Sequence, residues 1–242
     1  MFREIHPLFL LLAFLAEVAG TLGGFGSSVF FVPVAALYFT MHTALGLTAL
    51  FHLFSNISKL VLFRSGFQPY LMLYLGLPAV ACVLAGGLLA GKVPETWLQR
   101  TLGIFLVISS LLLLTNRLQL SPYSKKTTIL GGALSGLAAG LLGTGGAIRG
   151  LTMASFNLEK STFIATSAFI DLCVDFTRSV VYYYNGFIKK ELIIYVPFLL
   201  LIALGGTYVG QRILRHIPQH RFRQLSLLLV LGIGIYTLWQ SF

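Results

Sequence analysis

Gly20-Thr21-Leu22-Gly23-Gly24-Phe25-Gly26 and, later in the chain, Gly140-Leu141-Leu142-Gly143-Thr144-Gly145-Gly146 each interrupt a long apolar run. A glycine inside a helix costs roughly 1 kcal/mol against alanine, so three or four within seven residues argue for a local break. The two stretches register on each other at a shift of 120. At a shift of 119 the correspondence continues: Thr48 falls on Ser167, His52 on Asp171, Asn56 on Asp175 and Lys59 on Arg178. One inserted residue then brings Ser65-Gly66-Phe67 onto Asn185-Gly186-Phe187, and Gly86-Gly87 meets Gly205-Gly206. Polar positions and glycines that keep register across most of both halves point to an internal repeat.

The surroundings of the breaks set the solvent. Of the 242 residues 57% are hydrophobic and 10% charged, with a mean hydropathy of +0.87, whereas soluble domains carry about 25% charged residues. Apolar segments fall roughly at 7–38, 43–64, 69–91 and 97–115, and again at 127–154, 160–185, 189–214 and 222–240. These are lengths that span a bilayer. The expected fold is therefore an all-α integral membrane protein of two four-segment repeats, 1–119 and 120–242, joined by the polar stretch from Asn116 to Lys126. Residues 1–20 resemble a signal peptide, but their pattern recurs in mid-chain, so they read as the first membrane segment.

Eight simple crossings divide Lys and Arg almost evenly between the two sides. If each broken first segment enters and returns, the halves become inverted and the basic residues skew to one side. That skew favours re-entrant first segments. Hydrocarbon cannot satisfy the backbone groups freed at a break, so a break must be buried in protein or line a watery cavity. Paired breaks at matching positions are the mark of a transporter's central site, where half-helix N-termini suit anions. The competing explanation is close helix packing through Gly20, Gly24, Gly140 and Gly146.

At 100° per residue, Ser167, Asp171, Asp175, Arg178 and Tyr182 lie within about 60° of one another, and Thr48, His52, Asn56 and Lys59 form the matching stripe. Intramembrane ionisable groups usually face a cavity or bundle interior. Lining of a solute pathway is one account; an intrahelical Asp175–Arg178 pair with Asp171 held by a neighbour's hydroxyl is the other. Asp171 and Asp175, a turn apart and with His52 in register, are suited to hold a coupling proton. Glu17 and Arg149 flank the breaks, and each could pair with the stripe or meet the solute.

The net charge of +10 is scattered over segment ends, which suits anionic lipid headgroups and not nucleic acid. Cys82 and Cys173 form neither a zinc pair nor a redox dithiol. Gly91-Lys92 is followed by Val93, so no nucleotide loop is present, and no catalytic triad or metal-ligand cluster stands out. Neither a cofactor nor a metal is expected, and no enzymatic activity. A homo-oligomer is left open. A channel, or a membrane-embedded assembly factor or enzyme, remains an alternative to a carrier.

Gly23-Gly24-Phe25-Gly26 through Val32-Pro33, Thr48, Gly143-Thr144-Gly145-Gly146 and Tyr183-Tyr184-Asn185-Gly186-Phe187, read in order and twice over, resemble the TauE/SafE or sulfite exporter family. The resemblance covers nearly the whole chain. It implies a multi-pass carrier in the inner (cytoplasmic) membrane for a small anion, sulfite or an organosulfonate, coupled to an ion gradient, with protons the expected partner. The substrate would be bound by Gly23, Gly24, Gly26, Gly143, Thr144, Gly145, Gly146, Thr48, Ser167, Arg149 and Arg178, with Asp171, Asp175 and His52 carrying protons. The second half departs from the first where Met153 stands in the place of Pro33.

Overall fold

The computed structural model describes residues 6–23, 26–63, 66–115, 124–214 and 219–241. Gly24, Phe25, Ser65, Pro218 and the linker residues 116–123 lie outside them. Among the described residues every regular element is helical. In chain order these are α1 (Pro7–Gly23), α2 (Ser28–Ala36), α3 (Met41–Leu62), α4 (Pro69–Ala90), α5 (Glu95–Leu114), α6 (Lys125–Leu142), α7 (Gly146–Ala154), α8 (Lys160–Tyr184), α9 (Lys190–Leu214) and α10 (Gln219–Gln240). Each apolar segment read from the sequence corresponds to one helix, or to the pair α1/α2 or α6/α7 where the glycines fall.

Helix ends and irregularities follow local chemistry. Thr40 accepts from the Thr43 N–H at the start of α3, and Ser124 does the same for Thr127 at the start of α6, each satisfying an otherwise orphan donor. Pro94 caps α5, where its missing N–H costs nothing. Within α4, Met72–Gly76 widens into a π-helical turn just before Pro78. A proline lacks the N–H that would bond the carbonyl four residues back, and its ring crowds that carbonyl, so the turn opens. In α9 the 3₁₀ turn Lys190–Tyr195 likewise precedes Pro197.

Both glycine breaks turn the chain back on itself. The Phe9 ring, near the start of α1, lies 5.8 Å from Phe31 and 5.2 Å from Phe39, and His6 lies 5.5 Å from Tyr38. The chain after α2 has thus returned to the level at which α1 began. In the second hairpin, a Cβ on Gly131 of α6 would stand against Thr152 of α7, and one on Gly145 against the Ser135 carbonyl. The departure of Met153 from Pro33 leaves the return helices alike, for α2 and α7 each have nine residues.

Long helices pack across the two hairpins: α4 lies on α6, α9 on α1, α3 on α8 and α5 on α10. The α4–α6 contact is close because Gly132, Gly136 and Gly140 form a stripe at four-residue spacing. Cβ atoms at these positions would fall on the carbonyls of Leu75, Ala79 and Val83.

Polarity is distributed inside out. Glu17, Lys59, Arg149, Asp175 and Arg178 are buried, while Leu8, Leu11 and Leu15 of α1, Leu84 and Leu88 of α4 and Ile104 and Ile108 of α5 face outward. An apolar exterior around a charged interior belongs in lipid. The helices α3, α4, α5 and α9 are long and apolar enough to cross a membrane, and α1 and α10 carry shorter apolar stretches. The 25-residue α8 owes its lower apolarity to Asp171, Asp175 and Arg178.

Candidate functional site

The first hairpin contributes a buried carboxylate. Glu17 of α1 is wholly enclosed and its oxygens collect donors from four places. Ser27 at the start of α2 donates to Oε2 at 2.5 Å. Ser55 of α3 donates to Oε1 at 2.6 Å, Thr207 of α9 at 2.9 Å and Thr21, one turn along α1, at 3.4 Å. Lys59 of α3 completes the cluster, with Nζ 3.0 Å from Glu17 Oε1 and 2.6 Å from Ser55 Oγ. Opposite charge and multiple hydrogen bonds offset the desolvation of both groups.

The second break is shaped by Arg178. Gly143 ends α6 with φ of 76°, a left-handed cap that glycine adopts without steric cost. Arg178 Nη1 donates to the Gly143 carbonyl at 2.6 Å and to that of Ala139 at 3.2 Å, and Tyr182 Oη donates to Gly140 O at 2.6 Å. A cation against the last carbonyls of α6 complements the negative end of its dipole. Arg178 Nε lies 2.8 Å from Asp175 Oδ1, the intrahelical pair allowed by their three-residue spacing.

The two stripes then meet. Asn56 Nδ2 donates to Asp175 Oδ2 at 2.7 Å, and His52 Nδ1 is 3.9 Å from the same oxygen. His52 Nε2 lies 3.4 Å from Ser27 Oγ, so a chain of polar atoms runs from Glu17 through Ser27 and His52 to Asp175. Arg149 of α7 pairs with Asp171 and donates from Nε to Ser167 Oγ at 3.1 Å. The breaks touch directly, with Ser28 Oγ donating to Thr144 Oγ1 at 3.2 Å.

Gly26, Gly143, Gly145, Gly146, Asp171, Asp175 and Arg178 border one small cavity together with His52 and Asn56. An adjoining cavity, lined by Thr21, Lys59 and Ser167 among others, shares Gly26, Asn56 and Asp171 with the first. Of the residues singled out from sequence, Thr48 stays apart, its hydroxyl bonded to the Ala44 carbonyl of its own helix at 2.7 Å. Gly23 closes α1, and Gly24 falls outside the described residues. Gly145 is held by packing as well as by the break, since its Cβ would meet the Ser135 carbonyl and Ala139 Cβ. Bulk there would part α6 from α7 before it filled a cavity. Gly140 belongs to the α4 contact, as the packing account expects.

The sequence left the partners of Glu17 and Arg149 open. Glu17 takes Lys59 and Arg149 takes Asp171. Ser27, Ser55 and Thr207 were not singled out. Ser55 stands one turn before Lys59 on α3 and could have been found from that spacing; nothing in the local sequence marks Thr207.

Residues 9–237 match the family model described as sulfite exporter TauE/SafE. The chain belongs to the TauE/SafE family. No curated protein and no solved structure matches it. TauE/SafE membership, together with the apolar helices, makes this a multi-pass membrane protein of a transporter family, with a small anion as its class of substrate and lipid as its surroundings.

Proposed function

We propose that this TauE/SafE protein is a secondary transporter that moves sulfite, a sulfonate or a related organosulfur anion across the cytoplasmic membrane in a proton-coupled cycle. The observation that carries this reading is the meeting of the two breaks, Ser28 against Thr144, beside buried Arg149 and the partly buried Asp171. There α2 and α7 begin, and their opening turns present N–H groups without intrahelical partners.

Inverted repeats supply the framework. A hairpin that returns to its starting level leaves three crossings in each half, and an odd number inverts the second half against the first. Asn56 and Asp175, equivalent under the 119-residue shift, touch each other, as residues on a pseudo-two-fold axis do. Pro78 and Pro197 are related by the same shift, each following an irregular turn. The halves 1–119 and 120–242 are then one unit repeated, each packing its third long segment on the other's re-entrant hairpin.

Electrostatics supplies the coupling. Glu17, Asp171 and Asp175 balance Lys59, Arg149 and Arg178. An anion entering this balanced, buried set leaves one negative charge uncompensated unless a proton accompanies it. Arg149 is the cation that turns to the anion, and Asp171, released from it at the cavity wall, takes the proton. Arg178 remains on the α6 carbonyls. His52 and Asp175 extend the proton path towards Glu17.

In proteoliposomes, labelled sulfite and sulfonates should accumulate when a pH gradient is imposed. Asp171→Asn should reduce gradient-driven accumulation about tenfold or more while anion exchange stays within about threefold of wild type. Full proton-driven accumulation by both Asp171→Asn and Asp175→Asn would overturn the coupling.

A further inference from the structure

The three buried cations differ in what each would abandon by turning towards a solute. Arg178 would give up the Ala139 and Gly143 carbonyls and Asp175, and the second break would lose its clamp. Arg149 would give up Asp171 and Ser167. Lys59 would leave Glu17 and the Ser55 hydroxyl, and Glu17 would keep four hydroxyl donors: Ser27, Ser55, Thr21 and Thr207. Breaking a buried pair is costly chiefly because the abandoned charge goes unsatisfied. Of the three partners, Glu17 has the largest set of remaining hydrogen bonds, and those donors come from four separate elements.

Position agrees with this ranking. Lys59 lines the cavity bounded also by Thr21, Gly26, Asn56, Ser167 and Asp171, so it borders open space as well as Glu17. A lysine is a compact charge on a flexible four-carbon stem and can change partners by rotation alone. We infer that Lys59 is an anion-binding residue which Glu17 holds in reserve: a small oxyanion in this cavity draws the ammonium from Glu17 and is clasped between Lys59 and Arg149. This rests on the carrier function proposed above and extends it. The substrate it selects has at least two terminal oxygens, one for each cation, as sulfite and the sulfonates have.

The test is the Michaelis constant for labelled sulfite in proteoliposomes, with rates normalised to folded protein. Glu17→Gln frees Lys59 and should lower KM by about threefold or more. The double change Glu17→Gln with Lys59→Gln removes both charges together, leaves no unpaired ion and should raise KM about tenfold or more. A purely structural salt bridge predicts otherwise, with the double variant at the wild-type KM and Glu17→Gln no tighter; either result overturns the inference. Should the double variant fail to fold, Glu17→Gln alone decides by whether its KM falls. Wild-type protein that moves neither sulfite nor any sulfonate would remove the carrier function, and this inference with it. Wild-type transport with an unchanged KM in the double variant removes the inference alone.

Discussion

Arg178→Gln should sharply lower the amount of folded protein recovered from the membrane. The guanidinium holds the Gly143 and Ala139 carbonyls at the end of α6 and faces Asp175 from the same helix, all buried. Its loss leaves Asp175 with the Asn56 amide as its remaining close donor. Breaking a buried ion pair from one side costs about 3–5 kcal/mol, a large share of an ordinary folding free energy of about 5–15 kcal/mol. Adding Asp175→Asn removes the stranded charge and should restore part of the yield. The restoration stays partial because the two carbonyls still lack their donor. Size-exclusion profiles of detergent-solubilised wild type, both single variants and the double variant measure this. A double variant no better than Arg178→Gln would mean that the charge pair is not what stabilises this break.

Gly136→Leu should be at least as damaging, for a steric reason. A Cβ at residue 136 would fall on the carbonyl of Ala79, whose backbone cannot retreat without carrying α4 away from α6. The same substitution at Gly232 of α10, where nothing lies within 4 Å, is the control and should leave stability unchanged or raised by up to about 1 kcal/mol. Comparable folded yields for the two leucine variants would refute the close α4–α6 contact.

The broad plan was legible because its signals are local. Apolar length located the helices, the glycine runs fall where α1 gives way to α2 and α6 to α7, and a 100° projection collected His52, Asn56, Asp175 and Arg178 onto faces that do meet. The Asp175–Arg178 pair was among the options for the same reason, since three residues along a helix already bring two side chains together. Pairings between helices left no such trace. Whether Glu17 meets Lys59 or an arginine depends on how α1 sits against α3, and Thr207 reaches Glu17 because α9 lies on α1. Thr48 shares the periodicity of its neighbours, yet its hydroxyl bonds its own helix, a local preference of threonine that projection does not register.

The crossing of α4 onto α6 and of α9 onto α1 also bears on how such a chain is made. A ribosome delivers α1 to α5 first. Until α6 arrives, the carbonyls of Leu75, Ala79 and Val83 lack the glycine stripe they are shaped for, and until α9 arrives Glu17 lacks Thr207. The early helices must therefore wait, loosely associated in the bilayer or held at the insertion machinery, for contacts encoded about 60 codons downstream in the case of α4 and 190 in the case of Glu17. By the same geometry, halves synthesised as separate polypeptides should recognise each other in one membrane, because each carries the surface the other lacks.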